Sequence, residues 1–343
     1  MKVRTYFSVT IFALGLCLIT MMPTGVSQPD GQTAVVNLMI DADVPVSPSM
    51  EEIETAKSNL MNMSVEIQRR GLKATVYLPK DLTATQASLI ITHIGRSGRH
   101  EFAISGNSLD ERLSNMPYSE QKTILESSKE FAEACYVCGE EKLDVTGFKP
   151  QSFDQNENTY RALDELGIEY NAGFQAGLLY AAGHEDDVWP YRVEGHGFYA
   201  VPLSTYNLEG ERVPLQDRHF KDEGLSSSQW YAAMVSKFDE ASANGEPVVV
   251  LLTTSISGSG EYLDAYKRFL DYGMSRDASF VNTNTLVDMS RTGVYDLQDL
   301  EIALAENDDE SSSGCPECDN DSIAFITAVS TNETETEIAQ GAS

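Results

Sequence analysis

An α/β protein on a parallel sheet, with helices outside and the sheet either open or closed into a barrel, is what this sequence predicts. Three observations carry the prediction. Strand-like and helix-like stretches alternate along most of the chain, as in repeated strand–helix crossovers. The stretches "VVNLMI" and "PVVVLL" read as buried strands. At 343 residues the chain suits one large domain of this class plus extensions.

Residues 35–45, "VVNLMIDADVP", form the first strand and stop at Asp41 and Asp43. Alternation would put both carboxylates on one side, with Ala42 on the other. Two acids there repel unless an arginine, a metal or a shared proton lies between them; the alternative is a solvated loop after the strand. In "SPSMEEIETAKSNLMNMSVEIQRRG", Ser49 and Glu52 have capping-box spacing. Ile53, Ala56, Leu60, Met63 and Ile67 follow at helical spacing, and Gly71 closes the helix. "KATVYL" predicts a strand, "TATQASLIITHIG" a helix and "HEFAIS" a strand. Ser119 to Ala134 predicts a helix with Ile124, Leu125, Ser128 and Phe131 inward. "VTGF", a helix capped by Asn156, "IEY", "PVVVLL", the helix "GEYLDAYKRFLDYG" and "SFVN" continue the alternation. Residues 171–247 break the rhythm and read as an elaborated loop region over the sheet. From about Glu306 the chain turns to Asp, Glu, Ser and Thr around a short "IAFITAV", which reads as an acidic, mobile tail.

The first 27 residues carry two cations, a long apolar run and then small residues, the layout of a signal peptide or of an N-terminal anchor. Export is expected, either by secretion or by anchoring at the outer face of the membrane, with membrane contact only through this segment. The formal charge is −29. Without residues 1–27 it is 22 cations against 53 acids, or −31. That excludes nucleic acid and anionic membrane surfaces as expected partners; protein partners are not specified. The expected organisation is 1–27 as signal peptide or anchor, 33–290 as the main domain and 291–343 as an acidic extension.

Parallel α/β folds put their chemistry at the C-terminal ends of strands. Asp41 and Asp43 fall there, as do Ser105, Asn107, Lys149 and Thr253 to Ser255. In "GHEDDVWPYRVEGHGFYAVPLST", His184 and His196 either reach over the sheet or are exposed loop histidines with no ligand role, and Trp189 and Tyr191 either stack on sugar rings or anchor the loop that closes a barrel end. Cys135 and Cys138, with Cys315 and Cys318, make two C-x-x-C pairs. They suit a structural four-thiolate zinc site or, in an exported protein, disulfides. Either arrangement tethers the tail to the domain.

In order, "VVNLMIDAD", "LKATVYL", "RSGRHEFAISGN", "YSEQKTILESSKEF", "VTGFKPQSFDQNENTYRALDELGIEYNAG" and "SFVNTNTLVD" resemble the polysaccharide deacetylase family, the NodB-homology or carbohydrate esterase family 4 domain, over residues 33–290. The resemblance implies a deformed (β/α) barrel acting on or binding glycan or N-acetylated oligosaccharide. It makes Asp41 the catalytic base and places Lys149 where the family has the arginine that holds it. It also implies a divalent metal, but the metal-binding Asp falls on Ala42, leaving Asp43 to replace it, and the two ligand histidines fall on Ser105 and Leu109. The late catalytic histidine is replaced by Thr253 to Ser255. The expectation is therefore an exported, deacetylase-like protein with weakened or lost hydrolase activity. An active hydrolase of amide C–N bonds with an altered metal site and a structural cell-envelope protein are the alternatives.

Overall fold

The computed structural model describes residues 33–44, 48–82, 94–95, 97–134 and 145–307. The strands are β1 (Val35–Asp41), β2 (Ala74–Leu78), β3 (His100–Ile104), β4 (Gly147–Phe148), β5 (Tyr170–Gln175), β6 (Tyr191–Arg192), β7 (Tyr199–Leu203), β8 (Thr205–Leu208), β9 (Glu211–Pro214), β10 (Val248–Thr253) and β11 (Ser279–Val281). The main sheet runs β10-β1-β2-β3-β4-β5-β7-β6, and β11 pairs with the start of β1. All of these pairings are parallel except β6 on β7. The sheet curls until β7 and the chain after it meet β10. The Ser204 amide donates to the Val249 carbonyl at 3.1 Å, the Val249 amide to Ser204 Oγ at 2.9 Å and the Leu251 amide to the Leu215 carbonyl at 3.1 Å. A ring closed by a few bonds in place of a full ladder is a deformed barrel, as the resemblance implies.

Closure creates two cores. Val36, Leu38 and Ile40 of β1 face outward and pack with Ile53, Leu60, Met63 and Ile67 of the helix Met50–Arg70. Val35 and Met39 face inward with Tyr77, Ala103, Tyr170, Val201 and Leu251. Both faces of β1 are covered, which is why it reads as a continuous apolar run. Asp41 shares the parity of Met39 and so belongs to the inner face. Inside the ring Gly147 lies under Tyr170, where an added Cβ would come within 2.0 Å of the ring.

Helix signals behave as read. Ser49 and Glu52 form the capping box, and Gly71 ends that helix at φ 69°. Asn156 caps Glu157–Glu165. Within Tyr118–Glu133, Leu125 and Ser128 are buried, but Phe131 is exposed beneath the Lys80 ammonium, 4.9 Å from the ring centroid. The region 171–247 is far more regular than the expected loop. It supplies β7 to the ring, the hairpin β8–β9 and the wall helix Ser227–Asn244, which buries Trp230, Met234 and Phe238. The helix expected over "TATQASLIITHIG", the signal segment, all the cysteines, His93 and the tail beyond Asn307 lie wholly or mostly outside the described residues.

At the strand starts the barrel is plugged. The Thr283 amide donates to Thr75 Oγ1 at 2.8 Å, the Asn284 amide to Glu101 Oε2 at 2.9 Å and the Tyr170 hydroxyl to Glu101 Oε1 at 2.6 Å. Burial pushes the Glu101 carboxyl up to about 7. A carboxyl raised on folding contributes stability that is fully present below its unfolded value and is lost as pH rises through the folded one. Glu111 and Asp217 act in the same sense, both raised to about 7 by burial. His100, lowered to about 4 by burial, acts oppositely and only below its unfolded range. The urea-unfolding midpoint is therefore expected to fall from pH 6.5 to 8, and Glu101→Gln should flatten that fall. An unchanged slope in the variant would contradict the assignment.

Candidate functional site at the barrel mouth

At the other end of the ring the inward-facing residues become polar. Asp41, the last residue of β1, is in register with Thr253 and Tyr77. The Lys149 amide donates to the Ile104 carbonyl at 2.9 Å, so the residue after β4 prolongs the ladder. Lys149 Nζ lies 3.1 Å from Asp41 Oδ2, with the two residues 1% and 5% exposed. It also donates to the Pro150 carbonyl at 3.2 Å. Such charges are tolerated out of water only as a pair. The Phe153 ring lies beside the ammonium at 5.8 Å. Phe153 and Ser152 hold φ of 58° and 52°, a left-handed conformation that costs non-glycine residues free energy and clusters at functional sites.

Three buried polar atoms at these strand ends have no partner among the described residues: Asp41 Oδ1, Ser105 Oγ and Asn107 Oδ1. Buried groups are nearly always satisfied, so this is a concentration of unmet hydrogen bonding. Close by, the buried Glu111 carboxylate accepts the Asn107 amide at 3.0 Å and presses on Gly106, whose φ is 85° and whose added Cβ would lie 1.9 Å from Glu111 Oε2.

Asp43 has a separate environment. Its carboxylate accepts Thr254 Oγ1 at 2.8 Å, the Ser255 amide at 2.7 Å, the Ser255 hydroxyl and Arg218 Nη2 at 2.9 Å. The two acids therefore do not share a cation: Asp41 takes Lys149 and Asp43 takes Arg218. Asp217, next to Arg218, accepts the Thr253 amide at 2.7 Å, Thr253 Oγ1 at 2.8 Å and Ser257 Oγ at 2.6 Å. The stretch from Thr253 to Ser257 is thus a clamp on two acids. Arg218 and Asp217 were not singled out from the sequence, although the "DRHFKD" helix directly before a capping-box helix signals an ordered segment.

Several expected site residues lie elsewhere. Trp189 packs on Tyr295 at 4.3 Å and on the inner core beside Val294 and Leu297. Tyr191 sits in the outer core, stacked on His184 at 3.9 Å. The reason is topological: β6 runs antiparallel against the start of β7, which draws this loop away from Asp41. His184 Nδ1 lies 2.6 Å from Asp187 Oδ2. His196 bridges Asp164 and Glu157 on the outer helix at 2.7 and 3.2 Å. Neither restores an imidazole to the mouth.

The chain has the fold of the polysaccharide deacetylases, the NodB-type deformed barrel. A protein assigned as a polysaccharide deacetylase from Mycobacterium smegmatis superposes with a TM-score of 0.59 at 18% identity, covering 85% of this chain and 97% of its own. A second such protein, from Pseudomonas aeruginosa PAO1, gives 0.59 at 14%, covering 74% and 90%. An allantoinase gives 0.59 at 13%, covering 76% and 91%. At these identities the likeness shows the fold alone. No protein-family model matches the sequence, and no curated protein does.

The divalent metal implied by the resemblance does not fit the residues present. Asp43, expected as its ligand, has both oxygens engaged by four donors, one of them a guanidinium. Where the resemblance implies imidazoles the chain has Ser105 and Leu109: a neutral hydroxyl is a poor substitute for a ligand nitrogen, and a leucine side chain is none at all. Among the described residues no group of three His, Cys, Asp or Glu side chains is placed to hold a metal. The mouth instead offers two internally neutralised ion pairs and several open hydrogen-bonding positions.

Proposed function

We propose that the chain is an exported glycan-binding protein of the polysaccharide-deacetylase fold, which holds N-acetylated polysaccharide at the barrel mouth without the metal-assisted hydrolysis that the resemblance implies. The clamp on Asp43 carries this reading: Thr254, Ser255 and the Arg218 guanidinium engage both oxygens of the acid expected to hold the metal. Metal-assisted amide hydrolysis needs a Lewis acid on the carbonyl and an activated water, and the donors at this mouth do not build that centre. The deacetylase assignment of the Mycobacterium and Pseudomonas neighbours supports a glycan as ligand class. Export is supported by the layout of residues 1–27.

A working amide hydrolase with an altered centre is the second reading, and the buried Asp41 Oδ1, without a partner among the described residues, favours it. The primary reading is tested by calorimetric titration of the full-length chain with N-acetylglucosamine oligomers. Saturable binding is expected, and it should weaken in Lys149→Met. Absence of any heat of binding at millimolar oligomer would overturn it.

A further inference from the structure

We propose that Arg218 is the specificity-determining residue of the mouth, receiving the carbonyl oxygen of an N-acetyl group so that the site selects acetylated over deacetylated sugars. This rests on the reading of the mouth as a glycan site. The guanidinium offers five N–H donors in a planar fork. One nitrogen, Nη2, is anchored on Asp43 Oδ2 at 2.9 Å. The Arg218 side chain is 40% exposed while the Asp43 side chain is 5% exposed, so the group spans from a buried anchor to solvent. No other acceptor engages it among the described residues.

The anchor is stiff, because Asp43 is held by Thr254 and Ser255 as well. A donor fixed in advance loses little conformational freedom on binding. Two residues before Asp43, at the end of β1, Asp41 Oδ1 is a buried acceptor with no donor among the described residues. A secondary amide complements both: it is uncharged, its carbonyl accepts from arginine and its N–H donates to a carboxylate. A deacetylated sugar presents an ammonium, which offers Arg218 no acceptor and adds a third cation beside Lys149 and Arg218. A carboxylated sugar would satisfy Arg218 but would place an anion near the open oxygen of Asp41.

The test is calorimetry of the full-length protein with the trimers of N-acetylglucosamine, glucosamine and glucose, in wild type and Arg218→Lys. Lysine keeps a charge for Asp43 but cannot bond anchor and ligand in a fixed fork. The wild type should prefer the acetylated trimer by about tenfold or more, and the variant should lose that preference while keeping its melting temperature. A variant that retains the preference overturns the inference, as does a wild type that binds all three trimers equally; in both cases the glycan reading itself stands. A wild type that binds none removes both. Should the variant not fold, arginine-selective nitrogen-15 NMR of wild type decides: an arginine side-chain resonance must move with the acetylated trimer and stay still with the glucosamine trimer, and the reverse refutes the role.

Discussion

Replacing Lys149 with alanine should cost about 3–5 kcal/mol of stability, the usual consequence of stranding one partner of a buried ion pair. Asp41 would be left 5% exposed with one oxygen newly unpaired and the other already without a partner among the described residues. Replacing both residues together, Asp41→Leu with Lys149→Met, should recover most of the loss, because apolar residues of similar volume commonly match or exceed a buried pair in stability. Urea denaturation of the two variants measures both effects. A single variant within about 1 kcal/mol of wild type would mean that water reaches the pair, and its description as a buried ion pair would be wrong.

Asp43→Ala should be nearly as damaging, at about 3 kcal/mol, because it removes the acceptor for several donors at once and unmet buried donors cost about 1–3 kcal/mol each. Thr254 and the Ser255 amide lose their partner inside the fold, whereas Arg218, 40% exposed, can turn to water. The loss should therefore fall on the Thr254–Ser257 turn, visible as faster amide hydrogen exchange there. A metal-ligand role for Asp43 predicts a different outcome, a stable variant whose defect appears only when metal is added.

Much of the barrel is legible in the sequence because its signals are local. The Ser49–Glu52 box, the five apolar positions after it and Gly71 define a helix within 23 residues of chain. The end of β1 at Asp41 and the placing of Lys149 after β4 follow from strand limits, and those limits alone bring the two residues to one rim. What escaped is long-range. Arg218 reaches Asp43 across 175 residues, and nothing near either residue announces the other. In residues 171–247, Pro202 argues against a strand that is nonetheless part of the ring; it sits next to the register shift between β5 and β7, where the ladder is already irregular. The helix Ser227–Asn244 did carry readable signals, a Ser226–Gln229 capping box and a closing Gly245. Between sugar stacking and loop anchoring the sequence does not choose for Trp189 and Tyr191, because a reversal of strand direction at β6 cannot be seen in an aromatic-rich loop.

The central claim is that Arg218, with Thr254 and Ser255, holds Asp43 in place of a metal ion, while Lys149 holds Asp41. Acetate release from N-acetylglucosamine oligomers, followed with full-length protein in zinc, cobalt or manganese and again after chelation, tests it most directly. The predicted result is no release above background in any metal. Release that depends on added metal, stops with chelator and disappears in Asp41→Ala would contradict it.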